Sequence, residues 1–514
     1  MRCTVRILCL VGCALVVVGC GDPNPPDGAV ACAAGGSRVC PHGYQCIDGL
    51  CYHDGVMPSD MAAGGDDMLG GGSDDMGPPP DLVPDPCANG VKDPGEVDID
   101  CGGSCPLCGP TKKCNGPSDC ITASCTSGVC TLVSGPPNWL TVPSLAALRA
   151  EHAMAADGSG RLYVYAGVKD YMNTAATTSE RYTPGAAAWE MIPNVIGDHG
   201  EYAGGATDGA GRPCAIAGHN PDADNEMSCF DPSTNTWGAY ATVPGSPEAF
   251  GAATAGGIIH IFGGNGAGTG ASAYSSTNNT WTQTLAVPEG RSYPAAATGL
   301  DGLIYLIGGY DGTNPVNTAQ VFNPTTGAWA ATKTSAMSTG RMALAAAGGG
   351  DGRVYAIGGV TAFNTTTTPL SSVEAYTPAT DTWAVVAPLP GPRDYAAAAV
   401  GSDGRIYVTG GSDNMTFNPT SAVEAYGPIT TLSAATGAAG ASLTVSGSNF
   451  AINATVNVYF DKVTATPIAT GTSDGVGALP AVTWKVPAVA AGAHRLIIVD
   501  VRSQFPSYAA FTVQ

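Results

Sequence analysis

Six times between Trp139 and Pro428 the chain repeats one pattern: a run of small residues, a turn of the Asp-Gly kind, an apolar strand ending in Gly-Gly or Ala-Gly, and a further strand ending in an aromatic. The strand-ending pairs are Ala166-Gly167, Ala217-Gly218, Gly263-Gly264, Gly308-Gly309, Gly358-Gly359 and Gly410-Gly411, spaced 51, 46, 45, 50 and 52 residues apart. Tryptophans recur in step at Trp139, Trp189, Trp237, Trp281, Trp329 and Trp383. A repeat of about fifty residues holding four short strands has the dimensions of one propeller blade. The pattern therefore predicts an all-β chain built round a six-bladed β-propeller over residues 138–428.

With 71 Gly and 39 Pro in 514 residues the chain is too long for one core and too rich in turn formers to be mainly helical. Its 42 acidic side chains outnumber 21 basic ones. That balance argues against nucleic acid, which needs a basic footprint, and against charge-driven binding to anionic lipid.

At the N-terminus Arg2 and Arg6 precede an apolar run from Ile7 to Val18, too short to span a bilayer comfortably. The run ends in Val17-Val18-Gly19-Cys20, which resembles the lipobox of bacterial lipoproteins. The resemblance implies that residues 1–19 are a signal peptide and that Cys20 is lipidated, anchoring the chain in the bacterial cell envelope, at the outer membrane or cell surface. An ordinary secretory signal with a chance cysteine is the alternative. Beyond Cys3, Cys9, Cys13 and Cys20, the cysteines fall into even groups: Cys32, Cys40, Cys46 and Cys51, then eight from Cys87 to Cys130, then Cys214 and Cys229. Even groups in an exported chain read as disulfide frameworks whose connectivity is open.

Residues 20–31 form a Pro-rich tether, and 32–51 a four-Cys module too short to bury a core without bridges. Residues 52–86, rich in Gly, Asp, Met and Pro, read as a disordered, self-repelling acidic spacer. The eight-Cys stretch 87–130 resembles a Cys-rich module of bacterial surface proteins. Cys105 and Cys108 have the spacing of half a zinc site but lack a matching second pair and a reducing compartment. Asp93, Glu96, Asp98 and Asp100 would suit a calcium ion, or are solvated charges on a disulfide knot. No other cofactor is expected. Residues 429–514 change grammar to period-two strands such as Leu443–Phe450 and Val456–Phe460, which predict an immunoglobulin-like β-sandwich. With Val486-Pro487 and Ala510–Val513 they resemble an IPT/TIG domain, a module that spaces or binds.

Within the repeats, Leu303–Gly309, Val373–Pro378 and Trp383 resemble kelch repeats. Blade 6 has no tryptophan after Pro428, and Trp139 precedes blade 1 without strands of its own, so residues 138–145 are expected to supply the outermost strand of blade 6 and close the ring. The runs Pro294–Thr298, Ala343–Gly348 and Ala396–Val400 supply small side chains where strands converge on an axis. Cys214 and Cys229 fall on neighbouring antiparallel strands of blade 2, the setting for a cross-strand disulfide.

The loops after the glycine pairs share one face with the starts of the first strands, and they are polar and unequal in length, as at Lys169–Tyr171, His219-Asn220, Tyr310-Asp311 and Asp413-Asn414. Variable loops on a rigid frame are where binding usually resides. Fourteen residues before Tyr163, Tyr305, Tyr355 and Tyr407 stand Arg149, Arg291, Arg341 and Arg393; the same count in blades 2 and 3 reaches Gly200 and Ser246, with Glu201 and Glu248 close by. The four arginines either form an anion-reading crescent at the channel mouth or pair with Glu180, Glu374 and Glu424. The leading expectation is a lipid-anchored binding or display protein that engages an extracellular polysaccharide or protein through this face. The kelch resemblance also implies two enzymes, a sialic acid mutarotase using Arg149, Arg291, Arg341, Arg393, Glu201 and Glu248, and a copper radical oxidase. The second needs paired Tyr and His ligands, which His152, His199, His219, His260 and His494 do not form in the sequence. A purely structural envelope component is the third class.

Overall fold

The computed structural model describes residues 137–514 apart from 171, 198, 220–222, 246, 363–368, 414–416 and 465, with short pieces at 44–47, 50–53, 92, 94–98, 113–115, 125–126 and 128–130. The chain forms two compact units, Met1–Pro84 and Asp85–Gln514. In the first, Tyr44–Ile47 pairs antiparallel with Leu50–His53, placing Cys46 opposite Cys51 in register. In the second, a shorter pair sets Cys125 opposite Cys130, and Cys114 is engaged in a disulfide. Cys20 and the acidic spacer lie outside the described residues. Among the described residues the one helical turn is a 3-10 turn at Pro378–Thr380, and no helix is long and apolar enough to cross a membrane.

Six four-stranded antiparallel sheets follow one another. Blade 1 comprises Ala153–Ala156, Leu162–Tyr165, Ser179–Tyr182 and Glu190–Ile192, and each later blade repeats this order. Blade 6 takes Ala397–Val400, Ile406–Thr409 and Val423–Tyr426 from its own segment and its outermost strand, Trp139–Val142, from the start of the propeller, with Trp139 opposite Tyr426. The tryptophans explain why the repeat keeps one per blade. Each indole Nε1 donates to a carbonyl of the chain leaving the preceding blade: Trp189 to Pro143, Trp237 to Pro193, Trp281 to Ala241, Trp329 to Leu285, Trp383 to Ser335 and Trp139 to Ala387, at 2.7–3.0 Å. The sixth of these bonds is made by the borrowed strand, so the hydrogen-bonded hoop has no break.

The inner strands are alanine-rich because there is no room for more. A Cβ at Gly205 would strike the Met154 backbone of the neighbouring blade, and one at Gly348 the Thr298 carbonyl. The resulting channel, of about 190 Å³, is lined by Ala155, Ala206, Ala253, Ala297, Ala347 and Ala399 among other small residues. On the turn face, Asp157, Asp301, Asp351 and Asp403 each accept the phenol proton of a buried tyrosine on the next strand, Tyr163, Tyr305, Tyr355 and Tyr407. In blade 2 the second and third strands are joined by the Cys214–Cys229 disulfide.

The C-terminal domain is a β-sandwich of a three-stranded sheet, Ile429–Leu432, Ser442–Ser448 and Leu479–Lys485, facing a five-stranded one that contains Thr455–Phe460, Gly492–Asp500 and Pro506–Val513. Val445, Trp484, Val458, Ile498 and Phe511 fill the space between the sheets. The sandwich docks on the turn face of blades 5 and 6. Phe505, fully buried, lies against Tyr355 and Tyr426, with centroids 6.2 and 5.4 Å away, and Tyr508 N donates to Asp403 O. Asn449 accepts from Asn138 N and donates back to the Asn138 and Gly427 carbonyls, all at 2.9 Å, so the sandwich grips the strand that closes the ring. The opposite face, with the loops, is left open by this docking.

Candidate functional site

The four arginines do not face the channel mouth. Arg149, Arg291 and Arg341 are fully buried and Arg393 is 5% exposed. Arg149 Nη2 meets Glu180 Oε1 at 3.1 Å, Arg341 Nη2 meets Glu374 Oε1 at 2.6 Å, and Arg393 Nη1 meets Glu424 Oε2 at 2.9 Å. Each Nη1 also donates to the carbonyl of the first residue of its own strand-ending pair: Ala166, Gly308, Gly358 and Gly410. Blade 4 has Gln320 where the others have glutamate, and Arg291 reaches the half-exposed Glu289 at 3.7 Å instead. The anion-reading crescent is thus replaced by four internal struts, because three of the guanidinium groups neutralise a buried carboxylate and all four donate to carbonyls at the blade's bend.

The struts also account for the glycine pairs. In Gly308 the φ is +60°, and a Cβ would collide with the carbonyl of Arg341 in the next blade; Gly309 N donates to that same oxygen at 2.9 Å. Gly263, Gly358 and Gly410 meet Arg291, Arg393 and Arg149 alike. Ala166 and Ala217, in the same left-handed conformation at φ 59° and 49°, precede the two blades that lack the arginine. In blade 2 the position is Gly200, and His199 donates from Nδ1 to Ala217 O in place of a guanidinium. In blade 3 it is Pro247 and not Ser246, which lies outside the described residues. The count slips by one because the Gly256-Gly257 hairpin joins Ala255 directly to Ile258 and shortens the blade's first turn.

Two residues beyond each of these positions comes a ring that sequence reasoning missed: Glu151, Tyr202, Ala249, Tyr293, Ala343 and Tyr395. All six are left-handed, with φ between 48° and 57°. Backbone bonds run from blade to blade along it, from Tyr293 N to Ala249 O, Ala343 N to Tyr293 O, Tyr395 N to Ala343 O and Glu151 N to Tyr395 O. Tyrosines from the alternate blades 2, 4 and 6 converge, their centroids 5.3, 6.0 and 6.0 Å apart. The signal was present in the sequence as a residue at fixed offset from each arginine, masked because its identity alternates.

This ring lines a cavity of about 110 Å³ together with His152, Phe250, Pro294 and Leu344. Glu151 is 7% exposed and its Oε2 has no hydrogen-bond partner. Burial, with the Glu201 and Asp394 carboxylates adding to it, pushes its carboxyl well above the usual range against a hydrogen bond from Tyr202. Asp394, 8% exposed with Oδ1 unpartnered, is raised to about 7, chiefly by burial. Burial likewise holds His152 neutral, with Arg149 and Arg393 adding to the effect. His152 Nε2 and Thr409 Oγ1 lie within hydrogen-bond distance at 2.8 Å, and His152 Nδ1 is buried without a partner. At the rim, His219 Nδ1 lies 3.2 Å from Glu248 Oε1, and Glu201 bonds through its backbone to His219. Glu201 and Glu248 are therefore the two sequence-derived candidates that stand near the mouth.

Elsewhere, Asp208, Cys214 and Cys229 have metal-ligand proximity. Their donor set does not fit an ion, because the two sulfurs are bonded to each other and Asp208 holds Arg212. Of the calcium candidates, Asp98 accepts from Lys113 N at 2.7 Å and Glu96 is buried, while Asp93 and Asp100 lie outside the described residues.

Residues 203–411 match the family described as the KLHDC2/KLHL20/DRC7 Kelch-repeats domain, so the propeller is of the kelch type. Kelch-like protein 25 of Xenopus tropicalis is 34% identical over 111 residues, which are 21% of this chain and 18% of that protein. The chain thus spans less than a fifth of that relative's length. Among solved structures, a fungal alcohol oxidase of the AA5 family in complex with copper is similar at 18% identity and a TM-score of 0.45, over 71% of this chain and 85% of that one. YjhT is similar at 15% identity and a TM-score of 0.46, over 55% and 96%.

Proposed function

We propose that this chain is a lipid-anchored binding protein of the bacterial cell envelope, which engages an extracellular polysaccharide through the mouth on the loop face of its propeller. The observation that carries this reading is the ring of three converging tyrosines beside two buried acids, Glu151 and Asp394, each with one oxygen lacking a partner, on the face opposite the docked sandwich. Tyrosine offers a flat apolar body and a polar tip at small entropic cost, a combination suited to hydroxyl-rich rings. The lipobox-like Cys20 and the IPT/TIG-like sandwich support display in the surrounding medium. The mutarotase-like alternative loses Arg149, Arg291, Arg341 and Arg393 to the blade interiors and retains only Glu201 and Glu248.

The test is a glycan array probed with residues 20–514 and with Tyr202→Ala and Tyr395→Ala. Alanine already occupies the equivalent left-handed positions at Ala249 and Ala343, so both variants are expected to fold. Binding is expected in the parent and lost in both variants. Binding indifferent to both substitutions, or turnover of a small sugar by the purified protein, refutes the reading.

A further inference from the structure

The mouth is chemically one-sided. Its buried atoms without partners are Glu151 Oε2, His152 Nδ1 and, beside Tyr395, Asp394 Oδ1. Once ionised, a carboxylate only accepts, and a protonated primary amine is the common group that brings three donors and no acceptor to such a site. The cations that would otherwise compete, Arg149 and Arg393, have Nη atoms directed to Glu180 and Glu424. Three phenol rings add a π surface to which an ammonium is attracted. Glu201 and Glu248 at the rim, on a chain of net charge −21, favour the approach of cations.

Size limits what enters. The recess within the ring, of about 110 Å³, is small and opens to the loop face. It accommodates an amino group and the carbon bearing it, and leaves the rest of a sugar ring on the tyrosines.

We propose that the mouth selects a protonated primary amine carried on the polysaccharide, as on a de-N-acetylated amino sugar, and seats it against Glu151 within the tyrosine ring. This rests on the polysaccharide reading above. The groups that face Glu151 are Tyr202, Glu201 and Asp394, with Tyr293 and Tyr395 across the ring; none is a cation. The amine arrives carrying its own proton, and Glu151 gives up its carboxyl proton to the solvent on binding, so an ion pair replaces a neutral acid.

The experiment is titration calorimetry of residues 20–514 below neutrality, in two buffers of different ionisation enthalpy. The ligands are a fully deacetylated glucosamine tetramer and its N-acetylated counterpart. The free-amine tetramer is expected to bind more tightly by about tenfold or more, the scale of one desolvated cation–π contact, and to release a proton. Glu151→Gln is expected to abolish both the preference and the proton release while leaving the melting temperature unchanged or higher. If both tetramers bind alike and the tyrosine variants still lose them, the amine proposal is overturned while the polysaccharide reading stands. If neither tetramer nor any arrayed glycan binds, the polysaccharide reading falls and takes the amine with it. Undiminished proton release in Glu151→Gln overturns the assignment of that residue.

Discussion

Replacing Arg341 with methionine tests whether the arginines are struts or readers of a ligand. The guanidinium is fully buried and donates to Gly358 O at 3.1 Å, Ser372 O at 3.0 Å, Ser372 Oγ at 3.2 Å and Glu374 Oε1 at 2.6 Å. Methionine preserves much of the stem but leaves Glu374 buried beside only its Ser338 donors. Removing one member of a buried ion pair costs about 3–5 kcal/mol, mostly the penalty of the charge left behind. At roughly 2 °C per kcal/mol for a domain of this size, the melting temperature is expected to fall by about 6–10 °C. Adding Glu374→Met removes the stranded charge and should restore most of the loss, since an apolar pair of similar volume replaces a buried ion pair at little cost. As a control, Glu289→Ala should cost less than about 1 kcal/mol, because Glu289 is 51% exposed and 3.7 Å from Arg291. Calorimetric melting of the single and double variants checks all three. An Arg341→Met protein that melts like the parent yet fails to bind ligand would refute the strut assignment.

Three further outcomes follow from the same geometry. Gly308→Ala, which places a Cβ against the Arg341 carbonyl at φ +60°, is expected to destabilise by about 2 kcal/mol or more, whereas Ala166→Gly should change stability by less than about 1 kcal/mol; equal effects in chemical denaturation would contradict the pairing of glycine with arginine. A chain begun at Arg149 lacks the strand carrying Trp139, 7% exposed, and should melt well below one begun at Pro136, by at least the roughly 3–5 kcal/mol of a lost buried tryptophan; matching melts would refute closure by that strand. Asp394 is protonated in the folded protein up to about pH 7 but only to its ordinary 3.8 when unfolded, so the folded state binds the extra proton and stability falls as pH rises between these values. Asp394→Asn should flatten that decline by up to about 1.4 kcal/mol per pH unit, read by denaturant titration across the window; an unchanged slope would show that Asp394 does not titrate there.

Blade number, closure by the first strand and the alanine-lined axis were legible in the sequence because each is enforced by a recurring residue with one structural duty. Trp139 stood out as a tryptophan without a blade, and the indole hoop explains why that was informative. The arginines were legible as a set, and their pairing with Glu180, Glu374 and Glu424 as one of two alternatives, of which the structure bears out the pairing. Spacing locates a Cα on a face, whereas the inward turn of each guanidinium depends on Glu180, Glu374 and Glu424, which lie about thirty residues on and are brought alongside only by the sheet. The mouth was harder still. Glu151, Tyr202 and Ala249 share a backbone conformation and not a side-chain type, so a search for recurring chemistry passes over them, and the one-residue slip at the Gly256-Gly257 turn breaks the count in blade 3.

Asn449 bonds both backbone groups of Asn138, the residue through which the chain enters its closing strand. Tension arriving from the N-terminal side would therefore be delivered to the seam of the ring and not to the interior of a blade. The load would be shared there between the four-residue ladder to Val423–Tyr426 and a clamp contributed by the opposite end of the molecule. In mechanical terms the sandwich is a buttress on the seam, and stretching the propeller from its N-terminal side would test the hold of the C-terminal domain before it strained any of the first five blades.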